Sequence, residues 1–324
     1  MIKHKEMLVQ NVIRKMKCWF LLPLLFVTVN LPAQVKYFII PDQTEDYTLN
    51  HYKLSTEQLY GVNKNVELFC MTFPGLETIK NTQKQYADIN LNIVLFSVLP
   101  DLSGSSDWME IALDSVKNNL IKDADLHTLF SLNTFSEFDQ KYGAETKYFN
   151  EYQIIKKIDN KYYASKHCIL QFFAVRNRPS VFQNVFGTIN TEQEPLTIVE
   201  MEKIFKKRYP NFIFPPYSMA ESPYSYSNSF DFIRDRREYL SKVIKLRNNE
   251  LAYQFWTYTG WRGQDFEYKI DRGIDRFIYL PGKGIIGGSF DFYFYFHRKK
   301  LPIGYADFMQ NIKEEKVMIA DNYK

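Results

Sequence analysis

Residues 66–73 read Val-Glu-Leu-Phe-Cys-Met-Thr-Phe and residues 90–98 read Asn-Leu-Asn-Ile-Val-Leu-Phe-Ser-Val, and a proline closes each run, at Pro74 and Pro100. Both runs are short, rich in β-branched and aromatic residues, and bounded by a helix breaker, which marks strands rather than buried helices. Cys168-Ile-Leu-Gln-Phe-Phe173 has the same character. These runs decide the fold class. They alternate irregularly with helix-like stretches, so the chain reads as α+β, with mixed or antiparallel sheets and packed helices, rather than as a doubly wound parallel sheet.

Working outward, Tyr37–Ile40 reads as a short strand stopped by Pro41, and residues 152–175 as strands with a turn at Asp159-Asn160. Residues 75–88 have near-helical spacing at Leu76, Ile79, Gln83 and Tyr86. Residues 103–107 offer caps for a helix whose apolar face is Trp108, Ile111, Ala112, Val116 and Leu120, and a further helical stretch covers 126–142. At 197–208, Thr197 and Glu200 have capping-box spacing and Pro210 ends the helix. One long helix is predicted near 230–258, with Ile233, Leu240, Ile244, Leu251, Phe255 and Tyr258 on one face and Gly260 as its stop. Strands are expected at 266–270, 276–280 and 289–297, and a short helix at 305–316.

Residues 214–229, rich in Pro, Ser and Tyr, read as a linker or long loop. They would separate an N-terminal α+β region, 35–213, from a C-terminal helix plus β-hairpin region, 230–324, or lie within one continuous domain. Residues 1–34 read as a signal peptide: basic residues at Lys3, Lys5, Arg14, Lys15 and Lys17, an apolar run from Cys18 to Val29, and a break at Asn30–Gln34. The run is shorter than the roughly 17–25 residues of a membrane-spanning helix, although an uncleaved N-terminal anchor is the alternative. Met16 is a second possible start. Cys18 precedes the apolar run, whereas a lipoprotein cysteine follows it. The expected location is periplasmic or extracellular, with no stable membrane span once the signal is removed.

Composition narrows the class. The chain has 324 residues, 45% hydrophobic and 17% aromatic, with Gly and Pro at 13 each, which excludes disordered and collagen-like classes. Three cysteines in this length exclude a disulfide-stapled miniprotein. The formal charge of +4 lies wholly within residues 1–34, so the remainder is neutral and gives no electrostatic reason to bind nucleic acid. Phe, Tyr, Ile, Asn and Lys are also the residues that AT-rich coding produces, a second source for the aromatic excess. Cys70 and Cys168 would form a possible disulfide in an oxidising compartment; the alternative is two buried thiols.

The glycine-rich stretch Leu280-Pro-Gly-Lys-Gly-Ile-Ile-Gly-Gly-Ser289 lacks the phosphate-loop lysine at Gly288 and precedes a strand, so it reads as a turn between strands. In Phe290-Asp-Phe-Tyr-Phe-Tyr-Phe-His297, period two puts the phenylalanines on a core face. Asp291, Tyr293, Tyr295 and His297 take the other face, either as a platform for sugar rings or packed beneath the long helix. Trp256, Tyr258, Trp261 and Arg262 would line a pocket or form a packed corner. The candidate ligand-binding residues are therefore Trp256, Tyr258, Trp261, Arg262, Tyr293, Tyr295 and His297.

No catalytic set emerges. His51, His127, His167 and His297 lack zinc-motif spacing, and His167 beside Cys168 is no dyad, because neighbouring strand residues point to opposite faces. Asp265, Glu267, Asp271 and Asp275 would supply a carboxylate pair, or pair at the surface with Arg272 and Arg276. The expectation is a non-catalytic, cofactor-free and metal-free envelope protein binding a glycan or an envelope protein. The alternative is an envelope hydrolase acting on a polysaccharide or peptide through carboxylates.

Overall fold

Residues 66–73 and 91–98 are apolar on both faces because their sheet is the middle layer of three. The computed structural model describes residues 34–74, 91–104, 106–126, 128–129, 147–177, 187–211, 213–217, 237–258, 273–297, 299 and 301–324. The strands are β1 (Lys36–Ile39), β2 (Thr48–Ser55), β3 (Asn65–Pro74), β4 (Leu91–Leu99), β5 (Trp108–Ile111), β6 (Leu120–Ile121), β7 (Lys147–Phe149) and β8 (Tyr152–Ile158). They continue with β9 (Lys161–Ser165), β10 (His167–Val175), β11 (Thr188–Ile189), β12 (Arg237–Lys245), β13 (Leu251–Tyr258), β14 (Arg276–Leu280), β15 (Gly284–Ser289) and β16 (Met318–Ile319). The helices are α1 (Glu57–Tyr60), α2 (Leu113–Val116), α3 (Ile198–Arg208), α4 (Asp291–Phe296) and α5 (Tyr305–Lys313).

The middle sheet has the order β11-β10-β4-β3-β2, with β7 also on β10; the outer sheets are β5-β9-β8-β1-β6 and β12-β13-β14-β15-β16. Pairings are mainly antiparallel, but β1–β6, β1–β8 and β10–β11 are parallel, so the fold is mixed α+β and dominated by sheet. Alternation along the middle strands sends Leu68, Cys70, Ile93, Leu95, Ile169 and Phe173 into one core with the β12–β16 sheet. It sends Phe69, Met71, Val94, Phe96, Cys168 and Leu170 into a second core with Phe38, Tyr152 and Ile154 of the other sheet. Burial on both faces is what removes the polar half of the usual strand alternation.

Local signals hold where the chain closes on itself. Asp159 and Asn160 both adopt positive φ, at 48° and 62°, as a tight two-residue hairpin between β8 and β9 requires. Thr197 and Glu200 form a capping box at the start of α3. The glycine-rich stretch is the β14–β15 hairpin, with Gly282 and Gly284 at positive φ.

Three expectations are corrected. Residues 237–258 are not a helix but the β12–β13 hairpin. Tyr253, Phe255, Trp256, Thr257 and Tyr258 favour a pleated surface, and Asn249 turns the chain at φ 66°. Ser241 is the extra residue of a bulge in β12, and its hydroxyl bonds the buried Glu315 carboxylate. Secondly, Trp108–Ile111 is a strand at the edge of an outer sheet, not the start of a helix. Thirdly, the stretch 289–297 leaves its strand at Ser289 and continues as α4. Its N-terminus is held by two carboxylates, since Phe292 N donates to Asp275 and Asp291 is gripped by Arg276 and by the Tyr60 hydroxyl. These long-range partners override the β preference of the aromatic run.

The expected helix 75–88, most of 126–142 and the strand 266–270 lie outside the described residues, as do residues 1–33 and 218–236. Val35–Lys324 is one compact unit, and its larger core takes side chains from both sides of residues 214–229. Phe214 and Tyr217, at the start of the expected linker, are buried in that core.

Candidate functional site

At one end of the middle sheet β4 finishes at Leu99 opposite His167, the first residue of β10. The chain turns at Pro100-Asp101, and the Tyr293 hydroxyl of α4 donates to the Pro100 carbonyl at 2.7 Å. One turn on, His297 Nδ1 lies 2.9 Å from the Tyr293 carbonyl and its ring 4.6 Å from the Tyr293 ring. The His167 ring is 6.0 Å from Tyr293 and lies parallel to Phe149 at 6.4 Å. Lys166 Nζ is 3.2 Å from the Asp101 carboxylate. Lys64 Nζ donates to the Asp101 carbonyl at 2.7 Å and pairs with Asp107 at 3.2 Å, while Asp107 accepts from Asp101 N.

Electrostatics follow from burial. The His167 imidazole is pushed below its usual value by desolvation, with Asp101 and Asp107 pulling it up and His297 and Lys166 pushing it down. His167 is therefore neutral at pH 7, and its buried Nδ1 makes no hydrogen bond among the described residues. The Tyr293 phenol is raised by burial and by Asp101 and Asp107, so it serves as a donor. The cluster thus presents half-buried imidazoles beside paired ammonium and carboxylate groups, chemistry suited to hydrogen bonding rather than to binding a strong net charge.

A second polar cluster joins the middle sheet to the β5-containing sheet. The Glu67 carboxylate is 2.8 Å from His51 Nε2 and accepts from Trp108 Nε1 at 2.8 Å, with Lys156 Nζ at 3.6 Å. The same ammonium sits 3.7 Å over the Trp108 ring. Burial alone would raise Glu67, but the bonds from His51 and Trp108 and the Lys156 charge outweigh it and hold the carboxyl at about 2.

The residues singled out from sequence are dispersed. Trp256 is 1% exposed, stacks on Tyr239 and donates to the Leu196 carbonyl at 2.7 Å. Tyr258 is buried against Phe214, and Tyr293 is buried beneath the Pro100 turn. Rings so placed cannot stack on a sugar in this structure, and the face proposed by period-two alternation does not exist in a helix. Tyr295 is half-buried against Phe308 and Tyr305, and His297 is half-buried on the same helix. Trp261 and Arg262, with Asp265, Glu267 and Asp271, lie outside the described residues. Asp275 is buried and holds the α4 backbone.

Cys70 and Cys168 are free and buried, the second of the two arrangements open to them from sequence. Their strands flank β4 on opposite sides, and their side chains enter different cores. Among the described residues no group of three or more His, Cys, Asp or Glu is arranged to hold a metal ion, and no helix is long and apolar enough to cross a membrane.

Sequence reasoning missed Asp101, Lys166, Lys64 and Glu67. Pro100 was legible as a strand end, but nothing in the sequence places Asp101 beside His167. No family model matches the chain, and no curated protein or solved structure matches it.

Proposed function

We propose that the chain is a non-catalytic binding protein of the bacterial envelope, exported through residues 1–34, that takes a glycan or protein partner at the surface around Tyr295 and His297. The observation carrying this reading is where the reactive groups are used. Arg276, Asp275 and Asp291 fasten α4, Glu315 fastens α3 and β12, and Glu67 fastens two sheets. Among the described residues, the half-buried groups at the end of the middle sheet are hydrogen-bonding rings and paired charges. That composition favours recognition over carboxylate hydrolysis.

The test is a glycan array and a peptide-binding titration with wild type, Tyr295→Ala and His297→Ala. Binding that falls in both variants while thermal unfolding stays unchanged supports the reading. Turnover of a polysaccharide or peptide by the purified wild type would replace it with the hydrolase alternative. For export, N-terminal sequencing of the exported chain is expected to begin near Gln34, and an intact N-terminus in a membrane fraction would instead favour the anchored form.

A further inference from the structure

We propose that the outward face of α3, together with Ile213 just beyond it, docks on an anionic phospholipid surface. The proposal goes beyond the binding function above and does not depend on it. Helix α3 buries Ile198, Met201 and Phe205 in the larger core. Its helical period then places Val199, Lys203, Ile204 and Lys207 on the outward arc, and each is exposed. Val199 and Ile204 on this arc are 37% and 46% exposed, and Ile213, five residues past the helix, is 63% exposed.

Charge complements the aliphatic groups. Residues 35–324 are formally neutral, yet Lys203, Lys206, Lys207 and Arg208 fall within the last two turns of α3, and no acidic residue occurs from 203 to 213. Glu200, the exposed acid on this face, is occupied in the capping box with Thr197. Bases at a helix C-terminus complement its dipole, which accounts for the charges but not for isoleucines left in water. Basic residues interleaved with exposed aliphatic side chains are what a surface of anionic headgroups over acyl chains recognises. The core-facing side chains of α3 stay where they are, so docking is peripheral and needs no unfolding.

The experiment is vesicle flotation with residues 35–324, which contain both cores and every described sheet pairing. Vesicles are phosphatidylcholine alone or phosphatidylcholine with 30% phosphatidylglycerol. Wild type is expected on the anionic vesicles, with binding lost as salt rises. Lys203→Gln/Lys207→Gln and Ile204→Ser/Ile213→Ser are each expected to weaken it about tenfold. Lys157→Gln/Lys161→Gln, on the distant β8–β9 hairpin, is expected to bind as wild type. Absent anionic binding, or equal binding to both vesicle types, overturns the proposal. So does loss in the lysine variant with none in the isoleucine variant, because that describes a general polyanion contact. The wild-type salt titration and the comparison of the two vesicle types decide the matter even if a variant folds poorly.

Discussion

Cys70 and Cys168 face opposite cores across a shared neighbour, β4, which pairs with the strand of each. Strands two apart in a sheet are separated by about 9–10 Å, beyond the roughly 7 Å Cα limit for a disulfide. Burial also pushes both thiols up to about 12, so neither is a nucleophile at neutral pH. Residues 35–324 kept in air are expected to titrate as two free thiols with a thiol reagent after denaturation and as none when folded. A mass two hydrogens lighter would contradict the assigned geometry.

Glycines at one hairpin should respond differently to the same substitution. A Cβ on Gly284 would stand 2.5 Å from Cys70 Sγ, at φ 78°, whereas Gly282 at φ 73° faces open space. Gly284→Ala is expected to cost about 2–4 kcal/mol, combining backbone strain with overpacking, and Gly282→Ala about 1 kcal/mol from strain alone. Urea unfolding of the two variants checks the order, and equal losses would remove the packing component.

Acid stability should depend on Glu67. Its folded pKa of about 2 lies below its ordinary 4.5, so its stabilisation is full above 4.5 and is lost as pH falls towards 2. Wild type is expected to exceed Glu67→Gln by about 2–3 kcal/mol at pH 6, with the gap closing between 4.5 and 2. Denaturant melts across that range provide the measurement, and a gap independent of pH would mean that packing, not charge, holds the cluster.

The buried Arg276–Asp291 pair is expected to behave as a unit. Arg276→Met strands a buried carboxylate and should cost about 3–5 kcal/mol. Adding Asp291→Asn removes that stranded charge, so the double variant should lie at least about 1 kcal/mol above the additive sum. Strict additivity in urea melts would show that the two groups act separately.

His167 supplies a second pH window. Its folded pKa is depressed below 6.5, so its contribution is present above 6.5 and is lost as pH falls below that value. Stability of wild type is expected to decline between pH 7 and 5 more steeply than that of His167→Gln, and parallel curves would argue against a buried neutral imidazole.

Legibility in the sequence tracked the range of the interactions. The Asp159-Asn160 turn, the Thr197–Glu200 box, and the 276–280 strand each depend on a few neighbouring residues, and each stands where the sequence placed it. The hairpin at 237–258 was misread because Leu240, Ile244, Leu251 and Phe255 fit a helical stripe, whereas in the hairpin Leu240 and Phe255 are buried and Leu251 is exposed. The aromatic run at 290–297 was misread because Asp275, Arg276 and Tyr60 hold it as a helix from a distance.

The sequence by itself determined the mixed class, the strand content of residues 66–73, 91–98 and 168–173, and the neutrality of residues 35–324, because composition, period and breakers are local properties. Only the tertiary structure decided that the central sheet is covered on both faces, that Trp256, Tyr258 and Tyr293 are core, and that Asp101 meets Lys166 beside His167. Those outcomes rest on contacts between distant strands, whose free energy depends on which faces meet, and residue spacing along the chain does not encode that choice.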